Sequence, residues 1–190
     1  MITREEWLQV ATDKMRSDLF ASNGYELPPV RVSVGFPSNS RGGKVIGQCH
    51  YSASDGMPQI FIHPTLEEGT RALDVLAHEL VHATLGAGLG HKGAFKRCAE
   101  SIGLTGQMTA TTAGDNLKAW LVELIAEIGE YPHAKLDASG PKQSTRLLKC
   151  ECLSCGYIAR VSAKWLGELG EPVCPCNLEP MYSQGVFAKD

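Results

Sequence analysis

No apolar run in this chain approaches the ~20 residues that a membrane-crossing helix needs, so no membrane helix is expected. The opening residues, MITREEWLQV, hold no apolar core of the kind that precedes secretory cleavage. The expected location is therefore the cytoplasm (the host's, or its nucleoid, if the source is a virus). Charge of neither sign dominates, with 18 Lys and Arg against 21 Asp and Glu and a formal net charge of −3. That balance predicts no overall attraction to nucleic acid, leaving a local basic patch as the only electrostatic route to it. Aromatic residues make up 7% of the chain, and neither internal repeats nor low-complexity tracts occur. Cysteine is odd in number, at seven, which suits a secreted disulfide framework poorly. What remains is the composition of an ordinary globular protein, 43% hydrophobic and 21% charged, with 190 residues for one full domain or one domain plus a small appendage.

The first half reads as a mixture of helices and short strands. Thr3 and Glu6 have the spacing of a capping box, and Trp7, Val10, Met15 and Leu19 mark one face of a helix over about Arg4 to Phe20. Pro28-Pro29 stops it. Val30–Val34 alternates as a half-buried strand, and Lys44–Tyr51 and Gln59–Ile62 read as two more, with Gly42-Gly43 and Ser54-Asp55-Gly56 as turns. From Leu66 to about Leu85 the apolar positions take helical spacing, with Glu67 and Glu68 at the positive end. A Gly-rich turn, Gly86 to Gly90, closes it. A shorter helix follows with Phe95, Cys98, Ala99 and Ile102 on one side, then another over Asp115 to Ile128 ended by Gly129 and Pro132. Residues 131–145 lose periodicity and gain Pro, Gly, Ser and Lys, as a linker does. The expected organisation is thus a domain over 1–130, a linker over 131–145 and a small cysteine-rich unit over 146–190.

Within the longest of these helices lies His78-Glu79-Leu80-Val81-His82, an H-E-x-x-H pattern. Spacing of i and i+4 sets both imidazoles on one face, one turn apart, where both can reach a single zinc. Glu79 between them can accept a proton from water activated by that zinc. A catalytic zinc needs a third protein ligand and one open position. Two candidates stand: His91, at the end of the Gly-rich turn that reverses the chain, and Glu100 on the helix after it. The pattern H-E-x-x-H-x-x-G-x-x-H is not met, because Leu85 takes its glycine position and His91 comes three residues late. His50 and His63 flank the central strands and read as structural or polar residues. Met108 has a weaker claim to a place beneath the metal, and Cys98 falls on an apolar stripe as a small buried hydrophobe.

The cysteines cluster late. Cys152-Leu-Ser-Cys155-Gly156 has zinc-knuckle spacing, and Cys174-Pro-Cys176 follows nineteen residues on. Four thiolates make a closed tetrahedral site that folds a segment rather than catalysing a reaction. The second pair is one residue tighter than usual, so Cys150 is held as the substitute ligand. Arg146, Lys149, Arg160 and Lys164, with Tyr157 and Trp165 among them, are candidates to meet phosphates and stack on bases. From Pro141 to Asp190, however, six basic residues meet five acidic ones, so a structural or protein-docking ribbon is an equal reading.

The stretch HELVHATLGAGLGHKGAFKRCAESIGL resembles the SprT-like (Spartan-type) metallopeptidases, in which a His-Gly-x-x-Phe-like signature follows the H-E-x-x-H helix. Here that signature is His91-Lys92-Gly93-Ala94-Phe95, with one extra residue between His and Gly. The strand QIFIHP and the cysteine ribbon add to the likeness, which covers about residues 44–106 and 146–181. The resemblance implies an α+β, zincin-like metallopeptidase domain, with a small antiparallel or mixed sheet beside the H-E-x-x-H helix, followed by a zinc ribbon. It implies His91 as the third ligand of one catalytic zinc and a second, structural zinc in the ribbon. It also implies a protease acting on proteins bound or crosslinked to DNA, as in crosslink repair. The expected partners are a protein substrate and DNA, with no membrane, and the expected state is a monomer. Two other readings stand beside it: a non-catalytic adaptor for nucleic acid or protein working through its ribbon, and a metal-dependent hydrolase of a non-protein amide.

Overall fold

A computed structural model describes residues 2–38, 45–51, 53–137 and 147–183. The chain divides into two compact units, residues 1–138 and 139–190. Of the sequence expectations, Gly42-Gly43, Lys44, Arg146 and most of the linker segment lie outside the described residues.

The first unit is α+β. Helix α1 spans Arg4–Met15 and opens on Thr3, whose hydroxyl accepts from the Glu6 backbone while the Glu6 carboxylate accepts from the Thr3 N–H. The predicted helix to Phe20 continues, but over Arg16–Phe20 it widens to a π-turn, then tightens to a 3-10 turn over Ala21–Asn23. Trp7 fixes α1 from inside: it is fully buried, and its indole N–H donates to the Gly129 carbonyl at 2.8 Å.

Three strands form one mixed sheet. They are β1 (Arg31–Val34), β2 (Gly47–His50) and β3 (Gln59–Ile62), in the order β1-β3-β2, with β1 parallel and β2 antiparallel to the central strand. β3 places Ile60 and Ile62 fully inward, which commits its register, since a one-residue slip would turn both outward. β2 lies at the edge. Across this sheet packs α2 (Gly69–Leu85), whose Glu68 cap accepts from the N–H groups of Thr70 and Arg71.

Helix α2 is buried on most of its circumference: Ala72, Leu73, Leu76, Ala77, Leu80 and Val81 are inaccessible to solvent. A helix apolar nearly all round belongs at the centre of a domain. Its neighbours are the sheet, α1, α3 (Ala94–Ser101), α4 (Asp115–Ile128) and a hairpin of β4 (Leu104–Gln107) and β5 (Ala110–Ala113). That hairpin was not foreseen. LTGQMTATTA alternates poorly, and only Leu104 and Thr111 turn strongly inward.

The second unit is a small sheet, β6 (Leu147–Glu151) between β7 (Ile158–Ser162) and β8 (Tyr182–Ser183), with a short helix α5 (Ala163–Leu169). Its core is slight: among the described residues, Cys150, Cys152, Leu166, Cys174 and Met181 are the buried ones. Two matching turns carry the cysteines. In the first, Gly156 donates its N–H to the Cys152 carbonyl at 2.8 Å, and in the second Leu178 donates to Cys174 at the same distance. Both closing residues take a left-handed backbone, φ +75° at Gly156 and φ +57° at Leu178.

A side chain in that conformation costs about 1–2 kcal/mol, and Leu178 is 78% exposed, so burial offsets little of it. Leu178→Gly is therefore expected to stabilise the second unit by up to about 1 kcal/mol after the entropy cost of glycine. Thermal unfolding of the metal-loaded chain measures this, and a lower midpoint would show that Leu178 contributes a contact outweighing its strain.

Candidate metal centre and its cleft

Two turns of α2 and the loop after it bring three imidazoles together. The ligand nitrogens of His78, His82 and His91 all lie within 4.8 Å of one another, and the Nε2 atoms of His82 and His91 are 3.1 Å apart. Nitrogens bound to one tetrahedral zinc at about 2.0–2.1 Å would be separated by about 3.3–3.4 Å, so the donor set fits such an ion. Glu100, the rival ligand, faces Lys96 on the exposed side of α3, and it does not join the three. Loop 86–93 is what turns His91 back toward the pair.

Phe95 forms the apolar floor. It is 1% exposed, and its ring centroid lies 5.1, 4.6 and 4.7 Å from those of His78, His82 and His91. Enclosure of this kind disfavours protonated imidazole. Burial, reinforced by His82, His91 and Arg71, pulls His78 down to about 3, and burial with His91 pulls His82 down to about 4. His91 is lowered by burial as well. All three are neutral at physiological pH, which is the form that binds metal.

The orientation of His78 is set from β5. Its Nδ1 lies 2.8 Å from the hydroxyl of Thr111, itself 5% exposed. A His78 that binds metal through Nε2 has its Nδ1–H free to donate to Thr111 Oγ1. Sequence reasoning missed Thr111, because its contact depends on a hairpin 33 residues away along the chain.

Glu79 points from the same helix into the sheet side of the cleft and is 6% exposed. Burial pushes its carboxyl up to about 8, against a backbone N–H from Cys49 on β2 that favours the charged form. β2 can approach this closely because residue 47 is glycine. A Cβ there would stand 2.4 Å from Val75 Cγ1 and 2.7 Å from Glu79 Oε1, so any larger residue would displace the carboxylate. Gly47 is a second residue of the site that the sequence alone did not mark.

These groups line a cleft of about 570 Å³ whose walls are β2 with the residues before it, the exposed side of α2, His91 and the β4–β5 turn. Beyond the histidines and Glu79, its polar lining includes Gln48, Arg71, Thr109 and Thr111. Asp74, buried beside Arg71, has its carboxyl raised by burial, a rise that the guanidinium partly offsets. His50 stands edge-on to Phe61 and His63 bonds Thr65, so both lie outside the cluster, as expected of structural residues. Met108 packs against the main core from the hairpin turn and does not line the cleft, and Cys98 is buried on α3.

In the second unit the thiols of Cys152, Cys155, Cys174 and Cys176 fall within 4.8 Å of one another. Neighbouring sulfurs sit 3.4 to 3.7 Å apart, close to the roughly 3.8 Å edge of a zinc tetrahedron with 2.3 Å bonds. Backbone N–H groups, that of Cys155 foremost, draw Cys152 down to about 6, whereas Cys176 is pushed up by the thiols hydrogen-bonded to it. Crowded thiols sharing protons are what a divalent cation resolves. Cys150 lies in the small apolar core instead, outside the four-sulfur group. Arg160 and Trp165 are exposed, Lys164 stands 4.7 Å over the Trp165 ring, and Arg160 sits opposite Lys149 across β6 and β7.

No family model matches the chain, and neither the curated proteins nor the solved structures yield a match. The functional reading therefore rests on this geometry and on the residues themselves.

Thr111→Val keeps the side-chain shape and removes the acceptor for His78 Nδ1–H. Loss of such a supporting hydrogen bond lowers metal affinity by about 10–100-fold. Competition with a chromophoric chelator is expected to show that drop at one of two sites only. Unchanged affinity would mean that Thr111 does not orient His78.

Proposed function

We propose that the chain is a zinc-dependent endopeptidase of the SprT-like kind, with His78, His82 and His91 holding the catalytic zinc and Glu79 serving as general base. The observation that carries this reading is the meeting of three imidazoles and a buried carboxylate in one open cleft, beside a strand edge that no described strand covers. Three nitrogen donors leave a position for water, whereas four sulfurs leave none, so the two clusters divide into a reactive centre and a structural one. In this reading Cys152, Cys155, Cys174 and Cys176 hold the second zinc. The ribbon docks protein or DNA through the exposed Arg160, Lys164 and Trp165, and the resemblance to SprT-like enzymes points to proteins bound or crosslinked to DNA as substrates.

When bound, zinc supplies the Lewis acidity that brings the pKa of a water near 7 and polarises the scissile carbonyl. The rest belongs to the chain's own residues. Glu79 takes the proton of the attacking water and delivers it to the departing amine, which requires its anionic form at the start. A cation at the three imidazoles and the Cys49 N–H both favour that form against the effect of burial. Gly47 keeps β2 close enough for that N–H to reach. Thr111 holds the His78 ring, and Phe95 keeps water from the far side of the imidazoles.

Elemental analysis of the purified chain is expected to return two zincs, of which a chelator removes the three-histidine one first. A single tightly held zinc, or none, would contradict the two-centre account. His91→Ala is expected to lose the labile zinc and Glu100→Ala to keep it; zinc retained without His91 would move the ligand role elsewhere.

Glu79→Gln preserves size and removes the proton acceptor. It is expected to keep both metals and the fold while lowering cleavage of an unfolded protein such as casein by at least 10²–10⁴-fold. A wild-type chain, zinc-loaded and offered DNA with an unfolded or DNA-bound protein, that cuts nothing the Gln variant spares would leave the adaptor reading in its place.

A further inference from the structure

The mechanism leaves one charged group in the cleft unused. Arg71 lies on α2 two turns before His78, on the side of the helix that carries both histidines, and it lines the same cleft. It is the single cation among the described residues lining that cleft once the histidines are neutral. Its presence near a centre suited to a divalent cation is electrostatically unfavourable by itself, and its charge helps to depress His78. A guanidinium so placed calls for an anion.

Part of that anion is built in. Arg71 Nη1 donates to Asp74 Oδ2 from one turn away, and the Asp74 side chain is 8% exposed, so the pair is held from beneath by a buried carboxylate. The Arg71 side chain itself keeps 37% of its surface open. A guanidinium has five N–H donors in a planar fork, and one bond to Asp74 leaves the others for a second, bidentate acceptor. Anchoring by Asp74 also removes much of the rotamer freedom that a free arginine would lose on binding.

We infer that Arg71, held by Asp74, forms a specificity subsite for an acidic side chain of the peptide substrate. His78 lies seven positions along the helix from Arg71, a distance of about 10 Å along the axis. An extended peptide advances about 3.3 Å per residue, so the side chain that reaches Arg71 belongs about three residues from the bond held over His78. The cleft takes in Arg71, Val75, His78, Glu79 and His82, and so runs along α2 over the required span. A nucleic-acid strand fits less well, because tracking its phosphates takes a row of cations and the described lining supplies one.

This inference rests on the peptidase reading, and the test separates the two. A set of otherwise identical, neutral peptides carries one Asp at each position from four before to four after the cleaved bond. Binding is measured by fluorescence anisotropy to the zinc-loaded Glu79→Gln chain, and kcat/KM is measured with the active chain. One position, about three residues from the bond, is expected to bind and react about 10–100-fold better with Asp than with Asn, the range for a charge-assisted pair. Arg71→Gln combined with Asp74→Asn, which leaves no unpaired buried charge, is expected to collapse that ratio toward one, and Arg71→Lys to retain part of it. Equal handling of Asp and Asn peptides by a chain that cleaves them would overturn the subsite and leave the peptidase reading intact. Arg71-dependent preference in binding, without cleavage, would keep the subsite and overturn the peptidase reading. Arg71-dependent binding of a short single-stranded oligonucleotide with no preference among peptides would overturn the subsite in favour of a phosphate site.

Discussion

Burial of α2 on nearly every side is the constraint from which the rest of the first unit follows. Leu73, Leu76, Leu80 and Val81 each contribute roughly 1.5–3 kcal/mol when taken from water, and together they hold the helix between sheet, hairpin and three other helices. The exposed remainder is a narrow strip carrying Arg71, His78 and His82, with Glu79 at its buried margin. Because the strip belongs to the most firmly packed element, its side chains start from fixed positions. Only His91 comes from a loop, and Phe95 at the start of α3 ties that loop to the imidazoles. The cleft is therefore the uncovered seam of a core helix, walled by an edge strand on one side and a hairpin turn on the other.

The second unit is organised by the opposite circumstance. Among the described residues its buried core numbers five, too small to stand alone, and three of them are cysteines. Two turns of matching hydrogen-bond pattern present four sulfurs to one point, even though the second is a residue shorter between its cysteines and closes on a leucine where the first has glycine. A divalent cation held by those sulfurs would supply folding free energy that so small a core lacks.

Much of this was legible from the residues, for reasons that differ by element. α2 and α4 (Asp115–Ile128) were readable because apolar residues recur at helical spacing over many turns and because glycine follows each end. β3 was readable from QIFI, a compact run with two inward positions. The histidine pair needed only helical geometry. The β4–β5 hairpin was not readable, since its pattern is weak and its stability comes from packing against α2 and α3. Everything it contributes was hidden with it, including the Thr111 bond to His78. Gly47 and Arg71 were hidden differently: a glycine required by close approach of two elements, and an arginine whose role depends on a cleft, leave no local signature.

The central claim is that His78, His82 and His91 form one metal centre of open coordination, separate from the four-cysteine centre. Anomalous diffraction at the zinc edge from crystals of the metal-loaded chain tests it directly. Two peaks are expected per chain: one within about 2.0–2.1 Å of three imidazole nitrogens and one non-protein oxygen, the other within about 2.3 Å of four sulfurs. A peak at the cysteines alone, or one at the histidines completed by a fourth protein side chain, would contradict it.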